Sequence, residues 1–331
     1  MQRSGSVERA LSILLAPIAL TLMLAGFSWA QATAVRRIGV LTAGRGLAPV
    51  LEGLRHGLTQ LGYVEGKQIN LIVEDTEMAT LDPVKAAMRL LEAKPFLIVT
   101  VTTSHASAAK QVAGDIPIVF VVVADPVRLG LVASYASSKN NLAGVATNTV
   151  GLSGKRLELL KELLPGMRRA LVIVTTKEDA AQISFKFLQE TAKKLDVHLI
   201  RRDVATKEDI EKALLDTAKG SVDAIILVPS NLLRNHIGLF IDKANKDKLP
   251  LSVYEESMVQ QGALVSYGDD FALIGVQTAR IVAKVLNGTK PSEIPIETPE
   301  RQILAVNRTT AKIIGIKMPR KFLERVQHIV D

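Results

Sequence analysis

Short, unbroken runs of β-branched and other apolar residues, each followed by a segment of helical period, restrict this chain to few folds. "IGVLT" (38–42), "FLIVTV" (96–101) and "PIVFVVV" (117–123) are too short to be buried helices, and their lack of alternation leaves no wet face. Strands that are apolar on both sides belong to a parallel sheet covered by helices on both faces. The intervening segments supply the helices. "APVLEGLRHGLTQLGY" (48–63) spaces Leu51, Leu54, Leu58 and Leu61 along one face and closes at Gly62. "LDPVKAAMRLLEAKP" (81–95) opens with Asp82 as N-cap and Pro83 at the first helical position. "NLAGVAT" (141–147) then returns the chain to the sheet.

The pattern restarts after residues 146–151. "SGKRLELLKELLPG" (153–166) is a helix carried by Leu157, Leu160 and Leu164, and "DAAQISFKFLQETAKKLD" (179–196) is one expected to turn Ile183, Phe187 and Leu195 inward. Strands fall within 169–176, 197–203, 223–230, 249–255 and 263–270, with a single helix expected over "LLRNHIGLFIDKANKDK" (232–248). A last long helix carries Phe271, Ile274, Thr278, Ile281 and Val285. It precedes a Pro-rich link, a strand at 303–306 and two short terminal helices. The fold class is α/β, with two doubly wound parallel-sheet lobes. The second lobe already has a full strand set, so the helix after residue 270 is expected to return to the first. Lobe 1 is then 31–147 plus about 271–298, and lobe 2 is 148–270 plus about 299–331.

The first thirty residues follow another logic. Arg3 and Arg9 precede an apolar run (11–27) and the small residues Ser28, Ala30 and Ala32, the order of a secretory signal peptide over 1–30. Retention of this segment as a membrane anchor, making the rest a ligand-sensing ectodomain, is the alternative reading. The chain has no cysteine, which excludes disulfides, thiolate chemistry and a lipid anchor on a cysteine. Its net charge of +8 is dispersed along helices without aromatic interleaving, so no nucleic-acid partner is expected. Five histidines lack ligand spacing, and the chain has neither a GxSxG elbow, a P-loop nor a full GxGxxG. No metal, cofactor or catalytic set is expected, and hence no enzyme.

In open parallel sheets, ligands gather outside the carboxyl ends of the strands. "TTSHAS" (102–107) places Thr103 and Ser104 there, either as simple helix caps or as part of an anion site. Asp125 leaves "FVVVADP" beside Pro126, which favours an extended residue before it. Asp125 either caps the turn or contacts a ligand, and in both cases it is expected to line the cleft between the lobes.

Four stretches taken in order carry a family resemblance: "LRHGLTQLGYVEGKQINL", "IPIVFVVVADPVRLGLVAS", "NLAGVATNTVGLSGKRLELLKELLPG" and "GALVSYGDD". From about 36 to about 328 the chain is similar to the substrate-binding proteins of ABC uptake systems grouped with tryptophan and tyrosine transporters. The resemblance implies the type I periplasmic binding fold, with lobes joined by three hinge crossings at about 147–151, 267–271 and 297–303. It further implies a periplasmic monomer that captures a small solute, in several members an aromatic amino acid, and delivers it to an ABC permease in the inner membrane. The ligand contacts it implies are Thr102, Thr103, Ser104, Asp125, Asn148, Tyr254, Glu255, Tyr267 and Asp269. Thr103 and Ser104 would hold the anionic end. Asp125, Glu255 or Asp269 would take the cationic end, and Tyr254 or Tyr267 would supply a flat wall. Two departures from the family pattern alter the pocket wall: a shorter first loop, "TAGRGLAPVLEG", and Thr-Thr-Ser at 102–104 where small or Gly-rich residues are usual.

Overall fold

A computed structural model of the chain describes residues 35–76 and 82–331, so the proposed signal segment lies outside the described residues. Five strands form the first sheet: β1 (Arg36–Thr42), β2 (Ile69–Asp75), β3 (Leu97–Val101), β4 (Ile118–Ala124) and β5 (Leu142–Thr147). All are parallel, in the order β2-β1-β3-β4-β5. The second sheet holds β6 (Arg169–Thr175), β7 (His198–Val204), β8 (Ala224–Leu227), β9 (Leu251–Val253), β10 (Val265–Asp269), β11 (Gln302–Asn307) and β12 (His328–Val330). Its order is β12-β11-β10-β9-β8-β6-β7. The near-continuous burial of β3, β5 and β6 follows from helices covering both sheet faces.

The helices are α1 (Ala48–Gln60), α2 (Pro83–Glu92), α3 (Thr103–Val112), α4 (Ser153–Leu163), α5 (Asp179–Leu195), α6 (Lys207–Leu215), α7 (Asn231–Asn235), α8 (Ile237–Asp247), α9 (Glu256–Gln260), α10 (Phe271–Leu286), α11 (Arg308–Ile314) and α12 (Arg320–Leu323). Asp82 caps α2 as expected, accepting from the Val84 and Lys85 amides at 2.9 and 3.2 Å.

Four local expectations are corrected. Leu61 lies past the end of α1 and is exposed; Val50, Gly53 and Gly57 join Leu54 and Leu58 on the buried face. The helix expected over 232–248 breaks at His236, giving α7 and α8. β11 runs antiparallel to β10, because the chain re-enters the second sheet from the side facing the first lobe, without a helical crossover of its own. Strand β12, absent from the sequence reading, pairs with β11 along the last residues.

The chain passes between the sheets three times: from β5 to α4, from β10 to α10, and from α10 to β11. Helix α10 packs on α1, and Ile274, Ile281, Val282 and Val285 enter the core beneath the first sheet. The helix axes approach closely because glycines line the seam. A Cβ on Gly53 would overlap the Ala272 carbonyl oxygen, and one on Gly275 would overlap that of Val50. Beyond α10, the Glu297 amide donates to Gly144 O at 3.0 Å and ties the return segment to β5.

Candidate functional site: an interlobe cleft

The carboxyl ends of β3, β4 and β6 face one another across a cleft of about 1070 Å³. The first wall is built from strained backbone. Thr102 (φ 100°) leaves β3, Val122 (φ 56°) sits at a bulge in β4, and Asp125 (φ 46°) leaves that strand. These are left-handed or glycine-favouring conformations, held by non-glycine residues where a cleft is lined. The extended geometry expected for Asp125 is therefore corrected. The bulge between Val121 and Val123 re-aims the strand end before Pro126 is reached.

Thr102, Thr103, Ser104, Asp125 and Asn148 all line this cleft. The Thr102 hydroxyl lies 3.1 Å from Ser104 Oγ and 2.8 Å from His105 Nδ1. His105 is buried, with Nδ1 donating to Val101 O at 2.6 Å and Nε2 2.9 Å from the Thr76 hydroxyl. Burial holds its pKa below the ordinary value, against the Val101 bond, so it is a neutral structural histidine. Asp125 is half-exposed. One of its oxygens accepts from the Arg128 amide at 3.1 Å, and the other lies 3.5 Å from Arg128 Nε.

Lobe 2 builds its wall around one largely buried ion pair. Arg234 Nε donates to both oxygens of Glu255, at 2.9 and 3.1 Å, and Arg234 Nη1 donates to Asn231 Oδ1 at 2.8 Å. Burial opposes the charge on Arg234, but the Glu255 carboxylate outweighs it and raises the arginine pKa. The Tyr254 hydroxyl donates to Ser230 O at 2.7 Å, and burial raises its pKa strongly. The guanidinium carbons of Arg156 and Arg234 stand 5.9 and 6.0 Å from the Tyr254 ring centroid. Glu178 accepts from Ser230 Oγ at 2.6 Å and from the Asn231 amide at 2.9 Å.

These contacts correct several expected roles. Glu255 reaches the cleft lining, but its carboxylate is engaged by Arg234. Tyr254 also reaches it, but its ring is packed among arginines and only 1 % exposed, so neither end is free to serve as a wall. Tyr267 and Asp269 do not line the cleft. Tyr267 packs against the core of lobe 2, and its carbonyl accepts from Arg156 Nε at 2.7 Å. Asp269 joins the crossings instead, accepting from Thr149 Oγ1 at 3.0 Å and Gln302 Nε2 at 3.3 Å. Burial raises its pKa against those two bonds and the nearby Arg156 charge. Arg156 is wholly buried, and burial pushes its pKa down to about 10, opposed by Asp269; it stays charged at neutral pH.

Sequence reasoning missed Arg128, Arg156, Glu178 and Arg234. Arg156 and Arg234 sit on ordinary helices, Arg128 and Glu178 in the loops that follow β4 and β6, and none has a motif to mark it.

Four helices begin at the cleft lining without any side-chain cap: α3, α4, α5 and α9. Side chains cap α2, α6, α7, α10 and α11, through Asp82, Thr206, Ser230, Asp270 and Asn307, whereas α1, α8 and α12 are also uncapped. Helix-start amides that no side chain caps, as at α3, suit a ligand oxygen. The lobes also approach each other: Arg128 Nη1 lies 3.8 Å from Asp179 Oδ2, and a Cβ on Gly46 would stand 3.3 Å from Arg234 Cδ.

Two α/β lobes facing one another across such a cleft, with three short crossings between them, define a hinged solute-binding protein. The sequence profile of the ABC transporter substrate binding protein family matches residues 37–330, and the chain belongs to that family, an extracytoplasmic class of binding proteins rather than enzymes. A tyrosine-binding protein of Clostridioides difficile (strain R20291) is 27 % identical over 266 residues, covering 80 % of this chain and 76 % of that protein. A crystal structure of a conserved domain protein from Vibrio cholerae O1 biovar El Tor superposes with a TM-score of 0.81 at 28 % identity, covering 89 % of this chain and 99 % of that one. An ABC domain from Streptococcus pneumonia in complex with L-Trp also gives 0.81, at 22 % identity, over 90 % of this chain and 100 % of that one; at that identity the likeness is one of fold.

Proposed function

We propose that this protein captures an amino acid, with aromatic side chains favoured, between its lobes and delivers it to an ABC permease in the inner membrane. The observation that carries the reading is the cleft itself, where uncapped helix starts and hydroxyls on one flank adjoin a half-exposed carboxylate. The amides at the start of α3, with Thr103, Ser104 and Asn148, receive the ligand carboxylate. Asp125 takes the ammonium, exchanging its pairing with Arg128 for the ligand. The likeness to the tyrosine-binding protein supports an amino acid as the ligand. Segment 1–30 directs export and is removed, leaving a periplasmic monomer without a lipid anchor. Lobe 1 (31–147 plus about 271–298) and lobe 2 (148–270 plus about 299–331) then close about the three crossings.

Calorimetry on the chain lacking residues 1–30, with L-tyrosine, L-tryptophan and a panel of other amino acids and organic anions, tests this. Saturable binding of an aromatic amino acid is expected, lost in the double variant Ser104→Ala/Asp125→Ala. Undiminished binding by that variant would overturn the residue assignment. Binding only to a non-amino-acid would overturn the ligand class.

A further inference from the structure

Phe187 occupies a position that folding does not explain. Helix α5 buries Ala181, Ser184, Phe185, Leu188 and Ala192 against lobe 2. At about 100° per residue, Ile183 and Phe187 lie on the side roughly opposite that buried face, where an amphipathic helix carries polar groups. The inward placement expected for Phe187 is thus corrected: it is 41 % exposed, and with Ile183 it lines the cleft.

Lobe 1 presents a matching pair. In the segment after Pro126, Leu131 and Val132 are buried, whereas Leu129 and Tyr135 stay 38 % and 41 % exposed and line the same cleft. This segment is well held. Lys110 Nζ donates to Gly130 O at 2.6 Å, Asn140 Nδ2 to Leu131 O at 2.9 Å, and the Ile296 amide to Tyr135 O at 2.7 Å. Burial, together with the nearby Asp125 charge, raises the pKa of the Tyr135 phenol, so the apolar pair adjoins the carboxylate assigned to the ligand ammonium. Large apolar side chains left exposed on both sides of one concave site mark a surface that something apolar covers.

We infer that Leu129 and Tyr135 of lobe 1 and Ile183 and Phe187 of lobe 2 form the subsite that reads the ligand's side chain, selecting a ring-bearing one. The inference rests on the amino-acid reading of the cleft and replaces Tyr254 and Tyr267 as the aromatic wall. A ring inserted between a rigid loop and a helix face is covered from both lobes, so side-chain recognition and closure become one event. Edge or offset contacts with Tyr135 and Phe187 favour aromatic over branched aliphatic side chains of similar area.

The test is calorimetry of the wild type, Phe187→Ala, Phe187→Leu and Tyr135→Ala with L-tryptophan, L-tyrosine and L-alanine. Wild type is expected to bind the aromatic ligands at least about tenfold more tightly than L-alanine. Phe187→Ala and Tyr135→Ala each erase about tenfold of that preference and leave L-alanine binding unchanged, while Phe187→Leu is intermediate. Because both rings are exposed, the unfolding midpoints stay near that of wild type. An equal loss for L-alanine would make Phe187 a lobe-closing contact and overturn the inference, as would unchanged binding of L-tryptophan. Absence of binding to any amino acid by the wild type would instead strike down the amino-acid reading, and this subsite with it.

Discussion

The two walls of the cleft are made by opposite means. Lobe 1 holds Thr102, Val122 and Asp125 in unfavourable backbone conformations and leaves its acid half-exposed beside one arginine. Lobe 2 keeps ordinary backbone at its strand exits and invests in polar groups that satisfy one another: the partly buried Arg234 with the buried Glu255, the buried Tyr254 with Ser230, and Glu178 with the start of α7. A wall whose polar groups are already paired offers shape and fixed charge. A wall whose acid is half-exposed and held by one exposed arginine offers a partner to a guest. On the proposed reading, polar recognition falls to lobe 1, and lobe 2 is the rigid surface against which it closes.

The largest effect expected from this contrast is in lobe 2. Glu255→Ala leaves Arg234 buried without its counter-charge and should lower unfolding stability by about 3–5 kcal/mol in urea titration. The double variant Arg234→Met/Glu255→Leu should recover most of that loss. Asp125→Ala, which breaks a half-exposed pair, should cost no more than about 1 kcal/mol. Equal costs for the two carboxylates would dissolve the comparison. The next effect is in lobe 1. Thr102→Gly relieves the strained φ and should raise stability by about 1 kcal/mol, net of the lost hydroxyl contacts, while weakening ligand binding.

Titration separates the regions further. His105 in lobe 1 has a lowered pKa, so its contribution is full above the ordinary histidine value of about 6.5 and is lost as pH falls towards the folded value. His105→Gln should flatten that acid-side slope. Asp269, at the crossings, has a raised pKa, so its contribution is full below the ordinary carboxylate range and is lost as pH rises through the folded value. Asp269→Asn should remove a decline of the opposite sign. Slopes of the same sign for the two residues would contradict the burial described for one of them. The smallest effect belongs to Arg128→Ala. It removes an exposed link to Asp179 across the cleft and should change affinity by less than about tenfold, and less still in high salt.

Much of the fold was legible because burial on both faces writes itself into the strands as uninterrupted apolar runs. Helix α10 declared its return to lobe 1 through element counting, since a completed second sheet leaves no place for another covering helix. The cleft lining was legible at strand ends: residues 102–104, Asp125 and Asn148 line it because parallel strands deliver their exits to one edge. Tyr267 and Asp269 escaped that rule because β10 exits into a crossing flanked by β11, where side chains bind the crossings rather than face the guest. Phe187 was misread because α5 carries two apolar stripes of the same period, and period alone does not say which one the core takes. Arg234 and Glu255, 21 positions apart, meet only in three dimensions.

The glycine seam between α1 and α10 bears on the order of assembly. Lobe 1 lacks a part of its core until Ile274, Ile281, Val282 and Val285 arrive, more than a hundred residues after its fifth strand has been made. A growing chain therefore cannot complete its amino-terminal lobe first. The seam Gly53, Gly57 and Gly275 must wait for a partner contributed by distant sequence, and such non-local closure is slow. Lobe 2, apart from β11 and β12, draws on one continuous stretch and is free to consolidate earlier. In this molecule neither half is finished until sequence beyond residue 270 has arrived, α10 for lobe 1 and then β11 and β12 for lobe 2.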